Sequence, residues 1–209
     1  MIDTSSAFDG MFTAGSGRFV GSDGRMEHLA VRQWAGRTDR ADRQLFTDLC
    51  AGPTIDLGCG PGRLMGDLVD RGIPALGIDV SAEAVRQTRR RGAQAVMLDV
   101  FDDVPGTGGW RHALLADGNI GIGGDPVRLL RRARDLLDVD GTVLVEVSPL
   151  GTGLVRDHRR LWVEGRLSPP FAWAVVGLDA IDSVARDAGL LVTDVRTAAG
   201  RHAVTLTPA

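Results

Sequence analysis

The chain reads as an α/β protein, a doubly wound seven-stranded sheet that is mostly parallel and carries an antiparallel strand at its C-terminal end. Three observations predict this. From Thr54 onward, short apolar runs alternate with amphipathic segments closed by glycine, as in repeated strand–helix units. The run Thr54–Leu57 passes straight into Gly58-Cys59-Gly60-Pro61-Gly62 and then an amphipathic stretch, which is the order strand, tight turn, helix. The last two apolar runs are joined by a short loop with no helix between them, so they must pair antiparallel.

Residues 1–37 are rich in Gly and Ser, and Phe8, Met11, Phe12, Phe19, Met26 and Trp34 follow no clear period. They are expected to form an N-terminal extension, partly disordered or capping the site. Asp39–Cys50 places Ala41, Leu45, Phe46 and Leu49 on one helical face, and Gly52-Pro53 ends it. Strand Thr54–Leu57 is followed by helix Arg63–Arg71 and strand Ala75–Asp79. Ser81 is the expected N-cap of a helix Ala82–Arg91, with Gly92 as its stop. Strands Ala95–Val100 and Ala113–Ala116 come next, separated by a Gly/Pro-rich loop. Asp125-Pro126 opens a helix that buries Val127, Leu130, Ala133 and Leu137, and Asp140-Gly141 turns into strand Thr142–Val147. Regularity lapses over 148–177, where prolines, Trp162, Trp173, His158 and arginines 156, 159, 160 and 166 collect. That stretch is expected to be a substrate-side insert or lid within a single domain, 38–209. Helix Leu178–Ala188 and strands Leu191–Arg196 and His202–Leu206 complete the chain.

Composition narrows the function. The 209 residues are 44% hydrophobic and 24% charged, as in soluble globular proteins. A net charge of −3 disfavours a nucleic-acid partner. No apolar run reaches the roughly 20 residues of a membrane span, and no basic, apolar leader opens the chain, so a cytoplasmic protein without membrane partners is expected. Cys50 and Cys59 are expected to be free thiols, Cys59 a small filler of the turn. The chain contains neither lysine nor tyrosine. This removes the P-loop lysine, a pyridoxal Schiff base, a kinase-type phosphate clamp and the Tyr/Lys pair of short-chain dehydrogenases. No metal site is expected, and oligomeric state is not readable.

The glycine turn discriminates further. A dinucleotide fingerprint needs G-x-G-x-x-G, whereas here Gly58, Gly60 and Gly62 are followed by Arg63 and preceded by Asp56. Ile55-Asp56-Leu57-Gly58-Cys59-Gly60-Pro61-Gly62 resembles the first motif of class I S-adenosylmethionine-dependent methyltransferases, whose Rossmann-like fold matches the predicted strand pattern. The likeness covers about residues 40–209 and is reinforced by Leu76-Gly77-Ile78-Asp79 and Val96-Met97-Leu98-Asp99. It implies S-adenosyl-L-methionine as cofactor. Gly58, Gly60 and Gly62 would admit it, Asp79 with Val80 beside it would take the ribose hydroxyls, and Asp99 the adenine amino group. Val100 and Phe101 would line the ring, Asp56 would lie near the amino group, and Ala116 near the methionine part.

Methyl transfer from a sulfonium needs the acceptor held in line behind the methyl group, with water excluded and, for an amine or hydroxyl, a group to take the proton. Asp117 and Asn119 after the fourth strand, and His158 in the insert, are the candidate catalytic residues. Where nucleic-acid and protein methylating branches carry Asn/Asp-Pro-Pro-aromatic, this chain has Asp117-Gly118-Asn119-Ile120, which favours a small-molecule acceptor and O- or N-methylation. Arginines and tryptophans in the insert suit an acidic or aromatic acceptor. The alternative is a protein of this fold that does not methylate, either a non-transferase enzyme such as a hydrolase or a regulatory partner.

Overall fold

The computed structural model describes residues 4–209; residues 1–3 of the expected extension lie outside the described residues. The remainder of the extension has regular structure. Helix α1 (Thr4–Ala14) buries Ala7, Met11 and Phe12, and strands β1 (Arg18–Val20) and β2 (Met26–His28) pair antiparallel behind it. A short helix α2 (Val31–Trp34) leads to α3 (Arg40–Leu45), which Asp39 and Asp42 close with a reciprocal capping box. The single helix expected over Asp39–Cys50 breaks at Phe46, and a 3-10 turn, Thr47–Leu49, replaces its second half.

Strand β3 (Thr54–Leu57), helix α4 (Arg63–Asp70), strand β4 (Ala75–Asp79) and helix α5 (Ala82–Arg90) follow the expected order, with Ser81 accepting from the Ala84 N–H as the cap of α5. Strand β5 is Gln94–Met97, so Asp99 stands in the loop beyond it and not at its last position. Strand β6 (Trp110–Leu115) starts earlier than expected, helix α6 (Pro126–Leu136) is capped by Asp125, and β7 (Leu137–Val147) runs on directly from α6.

The segment 148–177 differs most from its sequence reading. It forms β8 (Leu154–Val163), a short β9 (Arg166–Leu167) and β10 (Phe171–Val176). Helix α7 (Ile181–Asp187) and strands β11 (Leu190–Ala198) and β12 (Arg201–Pro208) end the chain.

Seven strands form one sheet in the order β11-β12-β7-β6-β3-β4-β5. Pairs among β3 to β7 are parallel, while β12 runs antiparallel between β7 and β11. Alternation along the strands sends Ala113, Leu115, Val143 and Val145 to a core under α6 and α7, and Leu114 and Leu144 to a core under α3 and α4. Helices on both faces are what an apolar parallel sheet requires.

A second, antiparallel sheet has the order β10-β8-β1-β2, with β9 on β8. The N-terminal extension and the insert therefore build one sheet, with Phe19 of β1 opposite Leu161 of β8. A third core joins Phe12, Phe19, Leu161 and Val163 to Ala84 of α5 and anchors this sheet to the domain. Asp9 of α1 adds polar anchorage by accepting from Ser81 Oγ (2.5 Å) and the Glu83 N–H (2.9 Å) at the start of α5. Among the described residues no helix is long and apolar enough to cross a membrane.

Candidate functional site

In the large sheet the strand order reverses between β3 and β6, and loops leaving the carboxyl ends of such strands diverge to leave a crevice. A cavity of about 1130 Å³ lies there, between those loops and the inner face of the small sheet.

The turn after β3 supplies one wall. Gly58, Gly60 and Gly62 take φ of 79°, 52° and 81°, left-handed values that a side chain disfavours. Two are also spatially required. A Cβ on Gly58 would lie 2.8 Å from Asn119 Nδ2, and one on Gly62 would lie 2.5 Å from Thr88 Oγ1. Asp79 stiffens the turn from the end of β4, one carboxylate oxygen accepting from the Gly60 N–H (2.9 Å) and the other from the Ser81 N–H (2.8 Å). Burial pushes the Asp79 carboxyl up to about 6, the Ser81 and Gly60 N–H groups pulling the other way. Cys59 packs its sulfur beneath Gly77, and burial pushes its thiol far up.

Asp56, at the penultimate position of β3, lines the cavity. Among the described residues no hydrogen-bond donor reaches its side chain, and burial, followed by the nearby Asp117, raises its carboxyl to about 7. A buried carboxylate without a donor is costly unless a cation completes it.

Beyond Asp56 is an ionic network absent from the sequence reading. Arg63, in the first turn of α4, is buried and pairs with Asp42 of α3 and with Asp117 (2.6 Å). Arg201, at the start of β12, reaches Asp42 (2.6 Å) and holds Glu146 through two bonds of 2.8 Å, and Glu146 accepts the Asp117 N–H at 2.8 Å. The β7–β12 register, Glu146 opposite Ala203 and Val147 opposite His202, brings Arg201 to this end of the sheet. Burial tends to raise Asp42, but Arg63 and Arg201 hold it below the ordinary carboxylate range. Asp117, at φ 53°, is raised by burial despite both arginines. Two arginines among Asp42, Asp117, Glu146 and Asp56 leave this end of the cavity with more anionic than cationic groups.

Of the remaining expected residues, Val80, Asp99, Val100, Phe101 and Ala116 all line the cavity. Asp99 accepts the Phe101 N–H (2.9 Å), Arg132 holds the Val100 carbonyl (3.0 Å), and the Arg128 guanidinium stacks 3.8 Å from the Phe101 ring centroid. Asn119 also lines the cavity, but its amide nitrogen donates to the carbonyls of Leu57 (3.0 Å) and Gly58 (2.8 Å). That side chain ties the loop after β6 to the glycine turn.

His158 is not brought to the site. Along β8 the inward row is Arg159, Leu161 and Val163, and His158 sits on the opposite, exposed row. Arg159 takes the cavity position instead, together with Phe8, Phe19, Glu27, His28, Phe171 and Trp173. The period-2 alternation from Arg159 to Val163 could have revealed this row, but flanking prolines obscured the strand. Arg63, Glu146 and Arg201 had no local signal, because their partners lie far apart in sequence.

No known protein-family profile matches the chain. A tabtoxin biosynthesis enzyme of Pseudomonas amygdali pv. tabaci is 38% identical over 67 residues, which is 32% of this chain and only 27% of that protein's length. Among solved structures, a SAM-dependent methyltransferase of Bacteroides fragilis bound to S-adenosyl-L-homocysteine superposes with a TM-score of 0.81 at 20% identity, covering 100% of this chain and 95% of its own. The 1,6-didemethyltoxoflavin-N1-methyltransferase of Burkholderia thailandensis gives a TM-score of 0.59 at 17% identity over 81% of this chain and 76% of its own. The fold is that of the S-adenosylmethionine-dependent methyltransferases.

Proposed function

We propose that this chain is an S-adenosylmethionine-dependent methyltransferase that transfers a methyl group to oxygen or nitrogen of a small molecule. One observation carries the reading. At the switch-point crevice, a turn of three positive-φ glycines meets the acids Asp56 and Asp79, and the cavity lined by Gly58, Gly60 and both acids, with Gly62 set back against Thr88, continues into an aromatic chamber. At about 1130 Å³ it exceeds the roughly 300–1,000 Å³ of ordinary single-ligand pockets, leaving space for cofactor and acceptor together.

The residues present fit this cofactor. Asp56 is a buried carboxylate lacking a donor, suited to the ammonium of the methionine part, and Asp79 is held with its oxygens fixed beside the glycine turn for the ribose. Asp99, Val100 and Phe101, which line the cavity, would form the adenine side, Val80 would add apolar surface, and Ala116 would lie by the methionine part. When bound, the cofactor supplies an activated methyl carbon on sulfur. The chain's own contribution is to orient the acceptor, exclude water and accept a proton. Asp117 is the proton acceptor of this reading, its carboxyl raised toward the working range by burial and its place fixed by Arg63 and Glu146. Asn119 positions the loop, and His158 has no part in the chemistry.

Residues 4–37 and 148–177 act together as the acceptor-side cap of the 38–209 domain, supported by the pairing of β1 with β8. Rings and an arginine on that cap support an acidic or aromatic acceptor. The Burkholderia neighbour, which binds the small molecule 1,6-didemethyltoxoflavin, is in keeping with a small acceptor. Calorimetry with S-adenosylmethionine and S-adenosylhomocysteine tests the reading. Dissociation constants below a millimolar for both are expected, and binding of neither would refute it.

A further inference from the structure

The acceptor side of the cavity holds an arginine to which the cofactor reading above gives no role. Arg159 lies on the inward row of β8, with its side chain only 16% exposed and its guanidinium 5.3 Å from the Phe19 ring centroid. Its one anionic partner among the described residues is Glu27, at 3.0 Å, and that side chain is 66% exposed. Phe19, Phe171 and Trp173 are in mutual ring contact at 5.3–6.2 Å, and Phe8 packs on Phe171 at 5.7 Å.

The other cavity arginines are committed. Arg63 and Arg201 bind carboxylates of the ionic network, and Arg128 lies flat on Phe101. Arg159 is different, because its counter-ion Glu27 is largely exposed and, among the described residues, only its Nη1 meets an acceptor.

We propose that this chamber binds a planar aromatic or heteroaromatic monocarboxylate. Its acid group displaces Glu27 from Arg159, and its ring packs among Phe8, Phe19, Phe171 and Trp173. Which atom is methylated rests on the methyltransferase reading above; the binding itself does not. A single available cation balances the charge of a monocarboxylate in full and that of a phosphate dianion only in part. Glu27 sets selectivity: it repels the acid until displaced, and a neutral ring has no means of displacing it.

The test is calorimetry of protein saturated with S-adenosylhomocysteine, titrated with 8-hydroxyquinoline-2-carboxylate, indole-2-carboxylate and salicylate, each against its carboxamide. At least one acid should bind tenfold or more tighter than its amide. Arg159→Gln should erase that preference, and Arg159→Lys should restore only part of it. Glu27→Gln should tighten acid binding several-fold, a gain that a merely structural ion pair would not give. Acids that bind no better than amides, or a preference that survives Arg159→Gln, would overturn the proposal. So would the absence of binding by all three acids. Should Arg159→Gln fail to fold, the Glu27→Gln variant decides alone, and unchanged acid affinity there counts against the proposal. S-adenosylhomocysteine binding is measured first and separately, so its failure refutes the cofactor reading, and the acids are then titrated into protein alone.

Discussion

Affinity for S-adenosylhomocysteine should depend steeply on pH, in a direction set by two carboxyls. Asp56 and Asp79 are raised to about 7 and about 6 respectively, burial being the main cause for each. Both are expected to be ionised in the complex, Asp56 facing an ammonium and Asp79 accepting from hydroxyls. Binding therefore draws on the ionised fraction and releases protons as pH falls through these values. Between pH 7.5 and 5.5 the ionised fraction drops about 25-fold for a carboxyl at 7 and about fourfold for one at 6. Together they weaken binding by about one hundredfold, ~2.7 kcal/mol, since each tenfold is ~1.4 kcal/mol. Close acids titrate as a coupled set, so the profile gives two apparent values for the group. Calorimetry in two buffers of different ionisation enthalpy reads both affinity and proton release. Asp56→Asn should flatten the curve to the shallow slope left by Asp79. A dissociation constant constant across this range, with no proton release, would refute the assignment of these acids to the cofactor.

Three further outcomes follow from named contacts. Arg63→Met should cost about 3–5 kcal/mol in urea unfolding, because it removes the buried cation between Asp42 and Asp117 and leaves both acids to Arg201, which already holds Glu146; a loss under 1 kcal/mol would show that Arg201 alone sustains the network. Gly62→Ala combines a left-handed backbone with a clash on Thr88, so a loss of about 2–4 kcal/mol is expected, of which Thr88→Ala should recover only part of the packing share, because the residue-88 Cβ stays 2.8 Å away. His112 is buried, accepting from the Ala51 N–H and pairing with Thr142, and burial holds its imidazole below the ordinary value. The neutral form is thus favoured on folding. This contribution is complete above pH 6.5 and is lost as pH falls through the lowered value. Comparison of melting temperatures for the protein and His112→Gln should show a gap that narrows on acidification, and a constant gap would exclude His112 as the source.

How far the chain could be read depended on how local each cause was. The strand-end position of Asp79 was legible because the local apolar run and the glycine spacing before it set it, whereas its hold on the Gly60 and Ser81 N–H groups emerged only from the fold. By contrast, Asp99 was assigned to a strand that ends at Met97, because apolar residues continue past the last ladder pair. The segment 148–177 was misread as irregular because the sheet holding β8 and β10 is completed by β1, more than a hundred residues earlier in the chain. The period-2 alternation of β8 is confined to its last residues, Arg159–Val163, and Pro169 and Pro170 close behind it point to a loop.

The sequence by itself determined the large sheet, its single antiparallel strand and the positions of Gly58, Gly60, Gly62 and Asp79, because strand–turn–helix units are specified by residues that are neighbours in the chain. Tertiary structure decided the rest. It placed Arg159 in the cavity and His158 outside it by one residue of strand parity. It also joined Asp42, Arg63, Asp117, Glu146 and Arg201, residues from α3, α4, the loop after β6, β7 and β12, into one network. Charges find partners by proximity in space, and proximity between distant segments is fixed by register and packing, which no short stretch of sequence records.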